Sequence, residues 1–178
     1  LTEGGLISSR VVYEGRAVKL RVDEIVTIDG VKKSREIVEH DDCVAIVAVD
    51  GEDVLMVRQF REPVERELLE IPAGGIEPGE SPEATVDREM REETGYRPQR
   101  LTRLGGFYSV PGYGTEYLYL FLATGLTPAP LVAEDTAGIS VVRLPVNCIL
   151  PSITSGKICD AKSIAGLLNI SIHTVQFH

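Results

Sequence analysis

One stretch, from Gly74 to Tyr96, constrains this chain more than any other, and it reads GGIEPGESPEATVDREMREETGY. Glycines that permit a tight turn precede a serine and a proline that suit the start of a helix. Gly95 then supplies a helix stop. The pattern therefore predicts a glycine-rich turn followed by one helix from Pro82 to Thr94.

Three glutamates, Glu89, Glu92 and Glu93, lie in the last turns of that predicted helix. Like charges three or four residues apart on a helix repel by about 0.2–0.5 kcal/mol per pair. At about 100° per residue, Glu93 aligns with the apolar residues Val86 and Met90, so its carboxylate should be partly withdrawn from water. A withdrawn charge is normally paired or bound to a metal. A solvated acidic face is the alternative, and it fits Glu93 poorly.

The spacing of residues across this stretch resembles the Nudix box, G-x5-E-x7-R-E-U-x-E-E-x-G-U, in which U is a bulky residue. Met90 and Tyr96 occupy the bulky positions. The fixed positions all match, at Gly74, Glu80, Arg88, Glu89, Glu92, Glu93 and Gly95. At a residue usage of about 7% per position, a chance match in such a chain is about one in a million.

The strand patterns predict an α/β fold preceded by a small appendage. Segments rich in β-branched residues at 6–13, 17–28 and 33–39 predict an antiparallel β-meander over residues 1–40. Residues 41–178 mix predicted strands and helices, which is typical of a layered α/β domain. The Nudix resemblance implies that these residues form the catalytic domain, an α/β/α sandwich with a mixed sheet.

Individual elements of residues 41–178 follow from apolar runs and turn signals. Strands are predicted over residues 43–49, 54–59, 68–71, 101–108, 117–123 and 139–143, and helices over 149–154 and 160–168. Only Glu134 and Asp135 offer acidic side chains before the last strand. His173 and His178 are expected in a C-terminal tail.

The resemblance implies hydrolysis of a pyrophosphate bond with two or more Mg²⁺ ions, for which Mn²⁺ is a possible substitute. Hard cations held by oxygens can neutralise a diphosphate and activate water. The family pattern implies these metal ligands: the Ala73 carbonyl, Glu89, Glu92 and Glu93. Glu92 and Glu93 are also counted as catalytic. The pattern also implies a structural role for four residues, Gly74, Glu80, Arg88 and Gly95. Arg88 can orient the glutamates, pair with Glu92 along the helix, or do both.

Pro111 follows Gly95 by sixteen residues, and this spacing is similar to the marker of the ADP-ribose pyrophosphatase subfamily. A proline followed by glycines is otherwise an ordinary turn. The subfamily resemblance covers about residues 36–168 and implies conversion of ADP-ribose and water to AMP and ribose 5-phosphate. Two alternatives stay open: hydrolysis of another nucleoside diphosphate derivative, such as a nucleotide sugar or dinucleotide, and a non-catalytic nucleotide-binding module.

Residues outside the box are expected to choose the substrate. The resemblance implies contacts from Arg35, Arg61, Glu77, Pro111 and Gly112. Arg61 has the alternatives of a surface position or an ion pair with Glu65. Arg35 stands where relatives often stack an aromatic ring on adenine, and a guanidinium can also stack on a ring.

Glu116 ends the proline-glycine loop and has two interpretations. The subfamily implies that it is the catalytic general base or an extra metal contact, delivered by loop closure. A glutamate in such a loop is otherwise an ordinary solvated residue.

Composition limits the partners. A net charge of −9 argues against a non-specific nucleic-acid binder, which needs clustered Lys and Arg. Three cysteines without metal-ligand spacing suggest neither a disulfide framework nor a zinc site, so we expect a cytoplasmic protein. The apolar runs are too short for a membrane helix, and no signal peptide is recognisable. The subfamily resemblance implies a homodimer with exchanged N-terminal strands, shaping the adenosine side of the site from residues 1–40.

Overall fold

The computed structural model describes residues 4–133 and 136–175, with side chains up to residue 170. The chain divides into two compact units, one formed by Leu1–Asp42 with Tyr108–Tyr117 and the other by Cys43–Phe107 with Leu118–His178. The strands are β1 (Leu6–Glu14), β2 (Lys19–Val26), β3 (Lys32–Glu39), β4 (Cys43–Asp50), β5 (Asp53–Arg61), β6 (Arg66–Glu70), β7 (Ala73–Gly75), β8 (Tyr96–Tyr108), β9 (Tyr117–Pro128) and β10 (Ser140–Pro145). The helices are α1 (Pro82–Glu89), continued by a π-helical turn (Met90–Thr94), α2 (Ile149–Thr154) and α3 (Ala161–Val175).

The first unit contains the predicted meander, a three-stranded antiparallel sheet in the order β1-β2-β3. The turn between β2 and β3 uses Gly30 at φ 80°, whose N–H donates to the carbonyl of Thr27 at 2.8 Å. All residues of β1 are exposed in the single chain, including the large apolar residues Leu6, Val12 and Tyr13. A strand with this many exposed apolar side chains is typical of a surface that is covered by a partner.

The loop that joins β8 to β9 belongs to the same unit as the meander. Its backbone pairs with the end of β3, because Val38 N–H donates to Tyr113 O at 2.8 Å and Thr115 N–H to Val38 O at 3.1 Å. The hydroxyl of Thr115 also accepts from His40 N–H at 3.0 Å. These bonds fix the loop that carries Glu116 to the meander.

The second unit is built on a seven-stranded sheet with the central order β10-β5-β4-β9-β8, to which β6 and β7 add at β5 and β4. The pair β4–β9 is parallel, whereas the pairs of β5 with β10, β4 and β6 are antiparallel. The sheet is therefore mixed, as predicted. The short strand β7 was not predicted, since three residues with two glycines carry little strand propensity.

Both faces of β4 are buried, and its alternating residues separate two cores. Val44, Ile46 and Ala48 face a cluster that includes Val86 and Met90 of the α1 segment. Ala45 and Val47 lie in the other cluster, which holds side chains of α2 and α3. Helices therefore cover both faces of the sheet, which confirms the α/β/α sandwich.

Of the two C-terminal helices, α2 has the predicted bounds and α3 is longer than predicted. Pro151 is accommodated within α2 because it lies in the first turn, where a backbone N–H has no helical acceptor. Helix α3 extends to Val175, so His173 lies in a helix and the predicted tail is wrong at that position. Glu134, Asp135 and His178 lie outside the described residues. Among the described residues, none of the helices has both the length and the apolar character to span a bilayer.

Candidate active site

The glutamates are delivered by a helix that starts and stops where the sequence predicts. The hydroxyl of Ser81 accepts from Ala84 N–H at 3.2 Å, and Pro82 occupies the first turn. Gly95, at φ 79°, ends the segment in the left-handed conformation that favours glycine. The segment departs from a regular α-helix in its last turn, Met90–Thr94, which is π-helical.

This π-helical turn changes which side chains leave the solvent. The hydroxyl of Thr94 bonds the carbonyl of Met90, a side-chain contact that competes with regular helical bonding. A wider turn advances each residue by less than the 100° of an α-helix, so regular helical angles do not give the direction of the Glu92 side chain. The Glu92 side chain is only 15% exposed. Single π-turns of this kind are frequent at functional sites.

Strand β7 lies against the glutamates. The N–H of Ala73 donates to Oε2 of Glu93 at 3.1 Å. Gly74 lies so close to Glu89 that a Cβ at this glycine would be 1.9 Å from Oε1 of that carboxylate. Glycine is therefore required at position 74 if Glu89 is to keep this position.

Arg88 is shared among three carboxylates. Its Nε and Nη2 each donate to Glu80 at 3.0 Å, and its Nη1 donates to Glu89 at 2.7 Å and to Glu92 at 3.2 Å. Its Nη2 also donates to the carbonyl of Gly75 at 2.9 Å. The ion pair with Glu92 thus exists alongside the orienting contacts, so the two interpretations of Arg88 are compatible.

The guanidinium of Arg88 also sets the protonation of Glu80. Its hydrogen bonds lower the pKa of Glu80 to about 2, and the hydroxyl of Thr85 contributes a further bond at 2.9 Å. Glu80 is therefore ionised and acts as an anchor for Arg88.

Glu89 and Glu93 are poorly compensated by comparison. Burial raises the pKa of Glu89 in spite of Arg88. Burial, followed by the charge of Glu89, raises the pKa of Glu93 to about 8. The one hydrogen bond that Glu93 makes among the described residues comes from the Ala73 backbone.

This donor set suits a hard divalent cation. Carboxylates and backbone carbonyls are the oxygen ligands that Mg²⁺ accepts, and a cation would remove the repulsion that raises the pKa of Glu93. The residues that could hold it are Ala73 through its carbonyl, Glu89, Glu92 and Glu93.

A second group of charges lies in the same unit and is named here the Glu70 cluster: Arg61, Glu70, Asp160 and Lys162. Glu70 accepts two hydrogen bonds from Arg61, both at 2.7 Å, and a short one from Lys162. Burial alone would raise the pKa of Glu70, but these hydrogen bonds and charges bring it below its ordinary value. The charges of Lys162 and Arg61 also act on Glu93 and partly offset the rise of its pKa.

The Glu70 cluster corrects one sequence interpretation. Arg61 pairs with Glu70, not with Glu65, because its Nη2 lies 2.7 Å from Oε2 of Glu70, whereas Glu65 stands at φ 54° after a tight 3-10 turn. Glu70 and Lys162 were missed as functional candidates. The available signal was a glutamate inside the apolar run from Leu68 to Ile71, since a charge in such a run requires a partner.

The remaining residues that were predicted for the site are not part of the Glu70 cluster. Glu77 is exposed after β7, and Arg35 is exposed on β3, in register with Asp23. Pro111 and Gly112 are exposed at the tip of the β8–β9 loop. Glu116, Arg35, Pro111 and Gly112 belong to the unit that contains the meander.

Glu116 has a specific neighbour within its own unit. Its Oε1 lies 3.6 Å from Nδ1 of His40, and its side chain is 25% exposed. The ring of His40 also contacts the carbonyl of Asp41 at 2.7 Å.

Comparison with known proteins agrees with this arrangement. The family model described as the NUDIX domain matches residues 39–157. A methanol dehydrogenase activator of Bacillus methanolicus is 33% identical over 100% of this chain and 98% of its own. An ADP-ribose pyrophosphatase of Bacillus subtilis is 37% identical over 88% of this chain and 86% of its own.

The fold has a close counterpart among solved structures. A crystal structure of an ADP compounds hydrolase superposes with a TM-score of 0.91, at 21% identity, over 99% of this chain and 96% of that one. At this identity the likeness concerns the fold alone. The family match and the two relatives establish that this chain belongs to the Nudix family.

Proposed function

We propose that this chain hydrolyses the pyrophosphate bond of ADP-ribose to AMP and ribose 5-phosphate with bound Mg²⁺. The observation that carries the proposal is the pair Glu89 and Glu93, two half-buried carboxylates against the Ala73-Gly74 backbone, whose charges Arg88 does not balance. The similarity to an ADP-ribose pyrophosphatase across most of the chain supports the choice of substrate.

The metal site is proposed to hold two or more Mg²⁺ ions, with Mn²⁺ as a substitute, on the Ala73 carbonyl, Glu89, Glu92 and Glu93. When bound, such ions neutralise a diphosphate and lower the pKa of a water. Arg88 keeps Glu89 and Glu92 in place, and it is itself held by Glu80. Gly74 and Gly95 supply the close approach and the helix end.

Glu116 is proposed as the general base that accepts the proton of the attacking water. Its neighbour His40 and the loop bonds to β3 support this role, because a base must be oriented before it can act. We expect Glu116→Gln to lower kcat by about 10²–10⁴-fold, the usual contribution of a general base.

The substrate is proposed to be held by Arg61, Glu77, Arg35, Pro111 and Gly112. The phosphates suit Arg61, because a guanidinium matches the geometry of phosphoryl oxygens. Residues 1–40 would provide the adenosine side and residues 41–178 the catalytic domain.

A homodimer with exchanged N-terminal strands is part of the proposal, as is a cytoplasmic location. The exposed apolar residues of β1 support the dimer, since a three-stranded sheet with an uncovered strand has few stabilising contacts. Light scattering coupled to size-exclusion chromatography should give twice the chain mass. A monomer at micromolar concentration would contradict the exchange.

The alternatives are other substrates of the same chemistry and a non-catalytic module. The experiment is a panel of ADP-ribose, nucleotide sugars and dinucleotides with Mg²⁺, scored by kcat/KM for the wild type, Glu93→Gln and Glu83→Gln. Glu83 is the matched control, because it is an exposed glutamate on the same helix. We expect ADP-ribose to have the highest kcat/KM.

Loss of Glu93 should reduce kcat/KM by at least about 10³-fold, since metal-borne charge stabilisation is worth several kcal/mol. The Glu83 variant should keep the wild-type rate. A nucleotide sugar with a higher kcat/KM would favour the alternative substrate class. No turnover of any compound would favour the binding module.

A further inference from the structure

Glu70 is the most deeply buried charged side chain that the proposed chemistry leaves without a role. It is 1% exposed at the end of β6. Its two carboxylate oxygens each accept from a different nitrogen of Arg61, Nε and Nη2, at 2.7 Å. Such paired bonds define the plane of the guanidinium as well as its position.

Arg61 itself is only partly enclosed. Its side chain is 40% exposed, against 2% for that of Glu70. Because Nε and Nη2 face Glu70, the guanidinium turns its other edge, Nη1, away from the buried carboxylate. Within residues 4–133 and 136–170, whose side chains the structure describes, Nη1 has no hydrogen bond, so this edge can donate to a ligand.

Lys162 also holds Glu70, through the oxygen that accepts from Arg61 Nη2. Its ammonium bonds Oε2 of Glu70 and lies 3.0 Å from Asp160 Oδ2. This second cation is itself paired with Asp160, and together they hold the Glu70 carboxylate in place.

The cluster is attached to the backbone that leads to the glutamates. Asp160 accepts from the N–H of Ser163 at 3.1 Å, and the hydroxyl of Ser163 accepts from the N–H of Ile71 at 2.8 Å. Ile71 precedes Pro72 and Ala73, whose N–H holds Glu93. The first turn of α3, strand β6 and the glutamate site are thus connected by hydrogen bonds and short chain segments.

We propose that Glu70 is a positioning residue for substrate binding, which holds Arg61 so that its Nη1 edge meets an anionic oxygen of the diphosphate. Lys162 holds Glu70 for this task. This inference rests on the proposed function. A guanidinium that is already oriented loses less side-chain freedom on binding, so the gain appears as affinity for the substrate.

The test compares steady-state kinetics of Glu70→Gln, Arg61→Gln and the double variant with ADP-ribose. We expect Glu70→Gln to raise KM about tenfold and to change kcat less than about threefold, because an interaction made equally in substrate and transition state affects KM alone. In the Arg61→Gln background, Glu70→Gln should have no further effect on KM, since Glu70 acts through Arg61.

Variants of Lys162 give a second test, which applies even if the Glu70 variant misfolds. Lys162→Met should raise KM about threefold to fivefold, whereas the conservative change Lys162→Arg should keep the wild-type KM. Arg143→Gln is the control, since it removes another arginine with a carboxylate partner, Asp50, that has no part in the cluster. Its KM should equal that of the wild type.

A binding measurement separates this inference from the proposed function. Calorimetric titration with ADP and Mg²⁺ should show Kd increases that match the KM increases, about tenfold for Glu70→Gln and about threefold to fivefold for Lys162→Met, whether or not the wild type turns over ADP-ribose. Multiplicative effects of the Glu70 and Arg61 changes, or a fall in kcat at constant KM, would overturn the positioning role. An unchanged Kd for ADP in both variants would also overturn it.

Discussion

Two charged groups of the second unit differ in how far their carboxylates are compensated by cations. In the glutamate segment, residues 80–93, three carboxylates share the guanidinium of Arg88, those of Glu80, Glu89 and Glu92. From the described residues, Glu93 accepts a hydrogen bond only from a backbone N–H. In the Glu70 cluster, two carboxylates, Glu70 and Asp160, meet two cations, Arg61 and Lys162.

This difference in charge balance distinguishes a group that binds a cation from a group that positions a side chain. A group with excess negative charge is incomplete until a cation arrives, whereas a neutral group is complete within the protein. Removing a carboxylate should therefore have opposite effects on stability in the two places. The following predictions test this contrast.

The largest effect is expected from Glu93 in the metal-free protein. Its pKa rises from 4.5 in the unfolded chain to about 8 in the fold, so the associated stability is present below pH 4.5 and is lost as pH rises through about 8. At 1.36 kcal/mol per pH unit, the loss is at most about 5 kcal/mol. Tm measured with EDTA should fall from pH 5 to pH 8.

Magnesium and Glu93→Gln should each remove this dependence. Added Mg²⁺ should raise Tm more at pH 8 than at pH 5, because the bound cation favours the ionised carboxylate. The metal-free Glu93→Gln protein should be more stable than the wild type at pH 8. A flat wild-type profile in EDTA would contradict the assignment of an uncompensated charge.

Glu70→Gln, in contrast, should lower the free energy of unfolding. Removing one partner of a buried ion pair costs about 3–5 kcal/mol, and we expect about 3 kcal/mol here because Arg61 is partly solvated. Urea unfolding at pH 7 measures the change. Asp50→Asn, which breaks a surface pair with Arg143, is the control and should cost less than about 1 kcal/mol. Equal losses in both variants would remove the contrast.

Gly74→Ala tests the close approach of β7 to the glutamate segment. A methyl at this position would displace the Glu89 carboxylate, and misplacing a reactive group by about 1 Å costs about 10²-fold in rate. The matched control is Gly75→Ala, because a Cβ at Gly75 meets nothing within 4 Å. Hydrolysis rates at saturating Mg²⁺ compare the two variants. Equal rates would show that Glu89 moves without consequence.

The smallest effect is expected from Glu80 at acid pH. Its pKa is lowered to about 2, so the stability that it contributes is present above pH 4.5 and is lost as pH falls toward 2. The side chain is 23% exposed, and solvent screening reduces the contribution to about 1–2 kcal/mol. Glu80→Gln should flatten the Tm profile between pH 5 and pH 3. An unchanged slope would indicate that other carboxylates control acid unfolding.

Local patterns predicted the elements well where one residue type permits one geometry. Ser81, Pro82 and Gly95 defined the helix ends because capping and a left-handed stop depend on the nearest neighbours in the chain. The π-helical turn was not predictable in this way. It involves a hydroxyl, that of Thr94, which can bond its own helix or point elsewhere, and packing decides between them.

The ion pairs were less predictable than the elements. Four glutamates follow Arg61 within ten residues, and spacing alone does not choose among them: Glu62, Glu65, Glu67 and Glu70. The structure shows that the partner is Glu70, whose Oε2 lies 2.7 Å from Arg61 Nη2, although the strand register sets Glu70 opposite Val57. Lys162 reaches the same carboxylate from a helix 92 positions along the chain, a contact for which a single sequence carries no periodic signal.

By itself, the sequence determined the family, the meander, the mixed α/β architecture and the helix that concentrates acidic side chains, because motif spacing and hydrophobic period are local properties. Only the tertiary structure decided which charges are compensated. In the part of the chain that the structure describes, burial and long-range strand and helix contacts leave Glu93 with a single backbone donor and place two cations beside Glu70. The energy of a charge depends on its surroundings in space, and these are assembled from residues far apart in the chain.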